Sequence, residues 1–339
     1  MFTTKIHQLD REKLRLRAFP LLAVGLSIIL LLAGTFEFIP AWVLRDPADD
    51  IHLWHIAELA ALAALLLGGV ILALIRRPQE KPLLAQFFLL SLVILIIGIM
   101  PFNIDALALG VGTPMFGLGT LPLNTISFGL LFLAASFVLA YPSPRALLDF
   151  SQKGRRISIA LLVLTLIFAV FLDPVINKEI YYQIIGLPNN DAHALQYHWI
   201  GSALLMVLLI VAGVLASTKR PGWKILGFIT GEVYIYLGVI TMIVPNNPGS
   251  WGEASGLFTI FGGALYILIV LTEAEGESEG ISPSVVELAI SSESVPEAEA
   301  PTPSESVKDF VPVALPARTP QQLMENEMPG VDPTAVVKN

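Results

Sequence analysis

The sequence lacks cysteine altogether, which excludes disulfides, thiol catalysis, iron–sulfur clusters and zinc sites with cysteine ligands. Charged residues make up only 14 % of the 339 residues, whereas about a quarter is typical of soluble domains. No basic stripe of the kind that a phosphate backbone requires is present, so we expect no nucleic-acid partner. The chain also has no phosphate-binding glycine loop, serine elbow or zinc-protease motif. We therefore predict a protein that is not an enzyme, with no catalytic residue and no assigned metal ligand.

Apolar residues, by contrast, make up 55 % of the chain, and the mean hydropathy is +0.72. Eight apolar runs of about 20 residues are each long enough to cross a hydrocarbon core of about 30 Å. Helices are the expected form, because lipid offers the backbone no hydrogen-bond partners. The sequence thus predicts an all-α, polytopic membrane bundle with eight transmembrane helices. The predicted spans are 19–43, 53–75, 83–102, 121–141, 157–176, 195–217, 225–244 and 254–272.

The segment from Trp54 to Asn103 recurs 143 positions later, from Tyr197 to Asn246, with thirteen of fifty positions identical. The informative identities fall at the start, the turn and the exit of a helical hairpin. These pairs are His55 with His198, Arg77 with Arg220, Pro78 with Pro221, Lys81 with Lys224, and Asn103 with Asn246. We interpret the pattern as an internal duplication. The eight helices would then form two four-helix repeats related by a pseudo-twofold axis along the membrane normal.

Lysine and arginine number fifteen in residues 1–18, 76–82, 142–156 and 218–224, but only two in the intervening loops. Because positive residues collect on the cytoplasmic side, this bias predicts a multi-pass protein of the cell membrane with both termini in the cytoplasm. Between the fifth and sixth spans we expect a long outer loop at 175–193. The predicted domains are a basic N-terminal segment at 1–18, repeats at 19–141 and 157–272, and a cytoplasmic linker at 142–156.

Residues 273–339 carry thirteen acidic and three basic side chains, a balance of −10, and are rich in Ser, Pro and Ala. Such a segment cannot bury enough apolar surface to offset the entropy of ordering it, so we predict a disordered cytoplasmic tail. The expected partners are the lipid bilayer and either a membrane complex or a cytoplasmic protein that binds the tail.

Several short motifs resemble those of a known family. GTFEFIP at Gly34–Pro40 closes the first predicted helix, a histidine opens the second, and LPLNTISFGLLFL spans Leu121–Leu133. Together with a tyrosine-rich third helix in the second repeat, this pattern resembles a bacterial four-helix integral membrane family that is catalogued only as a domain of unknown function. The resemblance implies two such units in tandem and implies no activity. The family pattern tends to place an Asp and a His at the head of its fourth helix, where Ser127 and Phe128 stand here.

Four of the five histidines are predicted at the outer ends of the second and sixth helices, namely His52, His55, His193 and His198. His55 and His198 are equivalent in the two repeats, so they would face a common axis or occupy two equivalent lipid-facing sites. Facing imidazoles could hold a haem iron axially, or bind a divalent metal together with Asp50 and Asp191. The alternative is that these histidines bond loop carbonyls among the interfacial aromatic residues.

Two glutamates are candidate polar groups within the membrane. Glu58 follows His55 by three residues, a spacing found in carboxylate-bridged metal sites of helical bundles, but Gly201 stands at the equivalent position of the second repeat. Glu232 lies about two turns into the seventh predicted helix, and an ionisable group inside a span is a functional candidate because burying its charge is costly. It could bind a proton or cation, or tie its helix to a neighbour through Gln86 or Asn124.

Three functions are compatible with these features. The favoured interpretation is a non-enzymatic membrane protein with a structural or accessory role and no cofactor. The first alternative is a small-solute or proton-coupled carrier that uses Glu232. The second alternative is an electron-transfer subunit with haem b bound by His55 and His198.

Overall fold

The computed structural model describes residues 2–44, 52–108, 113–114, 120–121, 124–149, 156–189 and 191–279, all within one compact unit, Met1–Ser282. The predicted disordered tail beyond residue 279 lies outside the described residues, and so does Asp50. The helices are α1 (Phe2–Thr35), α2 (Leu53–Leu74), α3 (Pro82–Ala108), α4 (Asn124–Ala140), α5 (Pro144–Leu148), α6 (Ile159–Gly186), α7 (Ala192–Leu195), α8 (His198–Ser217), α9 (Trp223–Ile243) and α10 (Glu253–Glu279). A small antiparallel pair joins β1 (Thr113–Pro114) to β2 (Thr120–Leu121).

Seven of the described helices are long and apolar enough to cross a membrane, which confirms the prediction of a multi-pass, helical membrane protein. They are α1, α2, α3, α6, α8, α9 and α10. The remaining predicted span corresponds to α4, which has 17 residues and is shorter than the others. Apolar side chains that face outward on these helices, such as Leu21 and Val170, are exposed in the chain itself and suit contact with lipid.

Several helices extend beyond the predicted spans, and α3, for example, continues to Ala108. α1 begins at Phe2 and runs without a break through the segment predicted as a basic N-terminal lead. α10 continues to Glu279, past the predicted end of the last span. The prediction of an outer loop at 175–193 is wrong over most of its length, because α6 continues to Gly186 and places Glu179, Gln183 and Gly186 on one buried face. Their i, i+4, i+7 spacing is typical of a helix. A hydropathy average does not detect this helix, because polar residues lower the mean hydropathy of the segment.

The core of the bundle is formed by α2, α8 and α9, the helices with the largest buried share. α10 packs closely on α9 because glycines face each other across the contact. A Cβ added at Gly231 would lie 2.9 Å from the carbonyl oxygen of Gly263, and one added at Gly238 would lie 2.7 Å from that of Gly256. Small residues let membrane helices approach closely where the hydrophobic effect between helices is weak.

The turns after α2 and α8 hold the basic residues and join the helices at one end of the bundle, which we call the basic end. Lys81 Nζ donates to the carbonyls of Ala73 and Arg76 at 2.6 and 2.9 Å, capping the end of α2. Tyr141, just after α4, donates its hydroxyl to the carbonyl of Pro78 at 2.9 Å. The two bonds from Lys81 satisfy carbonyls that the end of α2 leaves without partners.

Candidate functional site

The opposite end of the bundle gathers four histidines, and we call this group the histidine cluster (His52, His55, His193 and His198). His52 is the residue before α2, and His55 lies in the first turn of that helix. His193 lies in the short helix α7. Tyr197 then adopts the left-handed conformation (φ 60°), which reverses the chain direction so that α8 begins at His198 beside the other three.

The imidazole rings of the cluster are in mutual contact. His55 and His198, the equivalent residues of the predicted repeats, have ring centres 5.1 Å apart with 30° between their planes. His193 lies 5.2 Å from His55 and 5.7 Å from His198 by the same measure. His52 lies 4.7 Å from His193 and 5.4 Å from His198. His55 and His198 therefore face each other, and the two histidines to which the sequence analysis gave no role adjoin them.

Three of these side chains can supply metal ligands at once. One ring nitrogen from each of His52, His193 and His198 lies within 4.8 Å of the other two. Imidazole is a favoured ligand of Zn²⁺, Cu²⁺ and Ni²⁺. In tetrahedral coordination at a Zn–N distance of about 2.1 Å, ligand nitrogens lie about 3.4 Å apart, so a contraction of at most about 1.4 Å in these separations would close the group on an ion.

Carboxylates face the Nδ1 atoms of two of the histidines. His55 Nδ1 lies 3.1 Å from Glu58 Oε2, and His193 Nδ1 lies 3.7 Å from Asp191 Oδ1. Among the described residues, the Nε2 atoms of both rings are buried without a hydrogen-bond partner, and the same holds for Nδ1 of His198. Buried polar atoms without partners are costly in a protein, so these nitrogens point to a ligand.

Glu58 and Ser202 connect α2 to α8 beneath the cluster. The Ser202 hydroxyl donates to Glu58 Oε2 and lies 3.3 Å from His55 Nδ1. Glu58 and Ser202 are both buried. Gly201, at the position that the predicted duplication pairs with Glu58, does not supply this contact, and the next residue, Ser202, does. The site is therefore asymmetric, with a carboxylate from α2 and a hydroxyl from α8.

Asp191 connects the short helix α7 to the start of α8. Its carboxylate accepts hydrogen bonds from the indole of Trp199 at 2.8 Å and from the backbone of Ala194 at 3.0 Å. Burial acts to raise the pKa of Asp191, but these two bonds and the neighbouring His193 outweigh it, so its pKa lies below the usual value. Asp191 thus places a negative charge beside the cluster and fixes α7 against the start of α8.

Glu179 and Gln183 were not predicted as site residues, because both lie in the segment predicted as a loop. Gln183 ties the end of α6 to the site, since it donates to the carbonyl of Ala194 at 2.8 Å and accepts from the backbone of Ile200 at 3.2 Å. Glu179 is only 1 % exposed, and within the described part of the chain neither of its carboxyl oxygens has a hydrogen-bond partner. It interacts electrostatically with Glu58. The helical spacing of Glu179, Gln183 and Gly186 is the signal that could have identified them.

A cavity of about 440 Å³ opens beside the cluster. Its lining includes Lys178, Tyr182, Asp191 and Trp199, together with the loop at Gly249. Asp191 and Trp199 belong to both the cavity wall and the immediate surroundings of His193, so the cavity leads toward the histidines. Gly249 has a φ of +83°, and a Cβ added there would lie 2.8 Å from Cε1 of His55. The loop backbone therefore covers His55 directly.

Glu232 lies away from this cluster, on the exposed side of α9. Gln86, one of the residues expected to tie it to a neighbouring helix, instead donates to the carbonyls of Ala146 and Asp149. The other, Asn124, has no described side chain. The proton or cation role suggested for Glu232 stays a prediction, and the described contacts do not link Glu232 to the histidines.

The histidine cluster is thus the place where buried, chemically capable side chains converge. The resemblance to a four-helix family of unknown function stays a prediction. No family model, curated protein or solved structure matches this chain.

Proposed function

We propose that this chain is a multi-pass membrane protein that binds one divalent transition-metal ion, such as Zn²⁺, on its histidine cluster. The observation that carries the proposal is the convergence of nitrogens from His52, His193 and His198 within 4.8 Å. The donors are all imidazoles, a set that suits Zn²⁺, Cu²⁺ and Ni²⁺ better than Mg²⁺ or Ca²⁺. The role we assign is non-enzymatic and accessory: the protein holds the ion at the membrane surface, within a larger assembly or the cell envelope.

The proposed orientation places the histidine cluster on the outer side of the cell membrane. The positive-inside bias assigns the basic end of the bundle, with Arg77 and Arg220, to the cytoplasm. The cluster lies at the other ends of α2 and α8. An outer-side location would allow the protein to take up its ion without a transport step.

Contacts at the basic end also support eight spans. Gln86, near the start of α3, donates to the carbonyls of Ala146 and Asp149 at 2.9 and 3.1 Å, and Tyr141 bonds Pro78. The chain leaves this end through α3 and has returned to it after α4, so α4 would cross the membrane as the eighth helix. At 1.5 Å per residue its 17 residues span about 25 Å.

The packing order supports the proposed duplication. In the first half α1 packs on α2 and α3 on α4, and in the second half α6 packs on α8 and α9 on α10. The short α7 is an insertion between the first two helices of the second half. With the sequence identities, this repeated order favours two four-helix units, of which α2 and α3 of the first pack against α8 and α9 of the second.

A haem on His55 and His198 is the alternative cofactor. Axial haem ligands approach the iron from opposite faces of the porphyrin. The two imidazoles instead lie against each other, with ring centres 5.1 Å apart and planes inclined by 30°. This geometry favours a bare ion over a porphyrin.

The test is metal analysis of the full-length protein, purified in mild detergent, stripped with a chelator and dialysed against Zn²⁺. We expect one ion per chain, with binding lost in His193→Ala and His198→Ala. His7→Ala, which removes the one histidine outside the cluster, is the matched control and should bind normally. Failure of the wild-type protein to retain Zn²⁺, Cu²⁺ or Ni²⁺ would overturn the proposal.

A reduced-minus-oxidised visible spectrum of the same preparation distinguishes the haem alternative. A Soret shift that is lost in both His55→Ala and His198→Ala would replace the bare ion with haem b. A flat spectrum together with bound Zn²⁺ is the expected result.

A further inference from the structure

We propose that His55 is a fourth ligand of the metal ion and that Glu58 positions it, so that the site is a closed tetrahedral centre of four histidines. This inference rests on the metal-binding function proposed above and adds the coordination of the ion. It matters because structural metal sites are closed by protein ligands, whereas catalytic sites keep one position open for water.

Five of the six ring-centre separations among the four histidines are close to those of tetrahedral coordination. With a Zn–N distance of about 2.1 Å, the centre of a ligating imidazole lies about 3.2 Å from the ion, and four tetrahedral rings then have centres about 5.2 Å apart. The observed separations of His52 from His193 and His198 are 4.7 and 5.4 Å. Those of His55 from His193 and His198 are 5.2 and 5.1 Å, and His193 lies 5.7 Å from His198. The distances of His55 from His193 and from His198 both lie close to this value.

The hydrogen bonds of His55 select the nitrogen that would bind. Its Nδ1 faces Glu58 Oε2 at 3.1 Å and Ser202 Oγ at 3.3 Å, so this atom serves as the donor to the carboxylate. Its Nε2 is then an acceptor, and it is buried without a hydrogen-bond partner in the described structure. Metal-ligating histidines characteristically donate their second ring nitrogen to a carboxylate, which fixes the tautomer and the ring orientation. Glu58 is the carboxylate that would accept this hydrogen bond from Nδ1 of His55.

The surroundings of His55 leave little access for water. The side chain is 1 % exposed, and the backbone of Gly249 lies against its Cε1 edge. Ser202 holds Glu58 from the neighbouring helix α8, so the orientation of His55 depends on both repeats. If the other three histidines close around an ion, His55 is therefore better placed than a water molecule to fill the fourth coordination position.

The first experiment counts imidazole ligands by Zn K-edge X-ray absorption on the full-length protein loaded with one Zn²⁺. We expect four imidazoles in the wild-type protein and three imidazoles plus one oxygen in His55→Ala. Three imidazoles in the wild-type protein, or an unchanged count in His55→Ala, would overturn the inference while leaving metal binding intact. A wild-type protein that binds no Zn²⁺ would instead overturn the proposed function. The wild-type count needs no variant, so the inference stays testable if a variant fails to fold.

The second experiment tests the positioning role of Glu58. We expect Glu58→Gln to keep four imidazoles but to lower Zn²⁺ affinity about 10–100-fold, as for other residues that orient metal ligands. Glu179→Gln is the matched control, because it makes the same chemical change at a buried carboxyl with no contact to a histidine. Its affinity should change less than about threefold. Equal losses in the two variants would show that Glu58 acts only through its charge, and no loss in Glu58→Gln would remove it from the site.

Discussion

The polar side chains at the two ends of the helical bundle differ in their hydrogen-bond partners. At the basic end, side chains bind carbonyls left over by helix termini: Lys81 caps α2, and Arg220 Nη2 donates to the carbonyl of Asp149 at 3.0 Å. At the histidine end, by contrast, ring nitrogens of His55, His193 and His198 are buried without partners among the described residues. Side chains connect helices at both ends of the described structure, but the histidine end also holds several neighbouring imidazoles with unpartnered nitrogens. This difference is the reason why we propose that the ion binds at the histidine end.

The largest expected difference between the two ends is metal-dependent stability. A ligand that binds only the folded state at 100 times its Kd adds about 2.7 kcal/mol to the free energy of unfolding. We therefore expect Zn²⁺ at that concentration to raise the melting temperature of the wild-type protein in detergent. A chelator should reverse the shift, and His198→Ala should abolish it. A shift of equal size in His198→Ala would place the ion elsewhere.

Gly249→Ala should disturb the histidine cluster, because Gly249 lies in the loop that covers His55. The residue has a φ of +83°, and the new Cβ would meet Cε1 of His55 at 2.8 Å. Holding alanine in the left-handed backbone conformation should lower the free energy of unfolding by about 1–3 kcal/mol. Displacement of the imidazole should also weaken Zn²⁺ binding. Gly252→Ala is the control, because its φ is +81° but nothing lies within 4 Å of the added Cβ. If both variants lost Zn²⁺ affinity equally, contact with His55 would not be the cause.

Tyr141→Phe should affect the basic end alone. It removes the 2.9 Å hydrogen bond to the carbonyl of Pro78, which keeps its second donor, the backbone N–H of Lys81. We expect the free energy of unfolding to fall by about 1 kcal/mol with no change in Zn²⁺ affinity. Thermal melting and equilibrium dialysis on the same sample measure both quantities. Reduced Zn²⁺ affinity would mean that the two ends are coupled.

Glu232→Gln should have the smallest effect, because its side chain lies on the exposed side of α9, away from both ends. We expect a change of at most about 0.5 kcal/mol in unfolding and none in Zn²⁺ binding. Flux assays in liposomes address the carrier alternative. Solute or proton flux that disappears in Glu232→Gln would establish that function instead.

Parts of the candidate site were open to prediction and parts were not. His55 and His198 could be singled out because they are equivalent in two repeated segments, and the i, i+3 spacing placed Glu58 on the face of His55. The involvement of His52 and His193 could not be derived in the same way. It depends on the short helix α7 and on the left-handed turn at Tyr197. Glu179 was missed because charged neighbours lower the hydropathy of a helix that continues beyond the membrane.

The sequence by itself determined that the chain spans the membrane repeatedly as helices, because long apolar runs leave the backbone no other way to satisfy its hydrogen bonds in lipid. It also indicated which ends of those helices carry basic residues. Only the tertiary structure decided that four histidines from two distant segments share one site. Hydropathy is a local property of the chain, whereas the meeting of His52 and His55 with His193 and His198 depends on how α2 and α8 pack and on the turn that precedes α8.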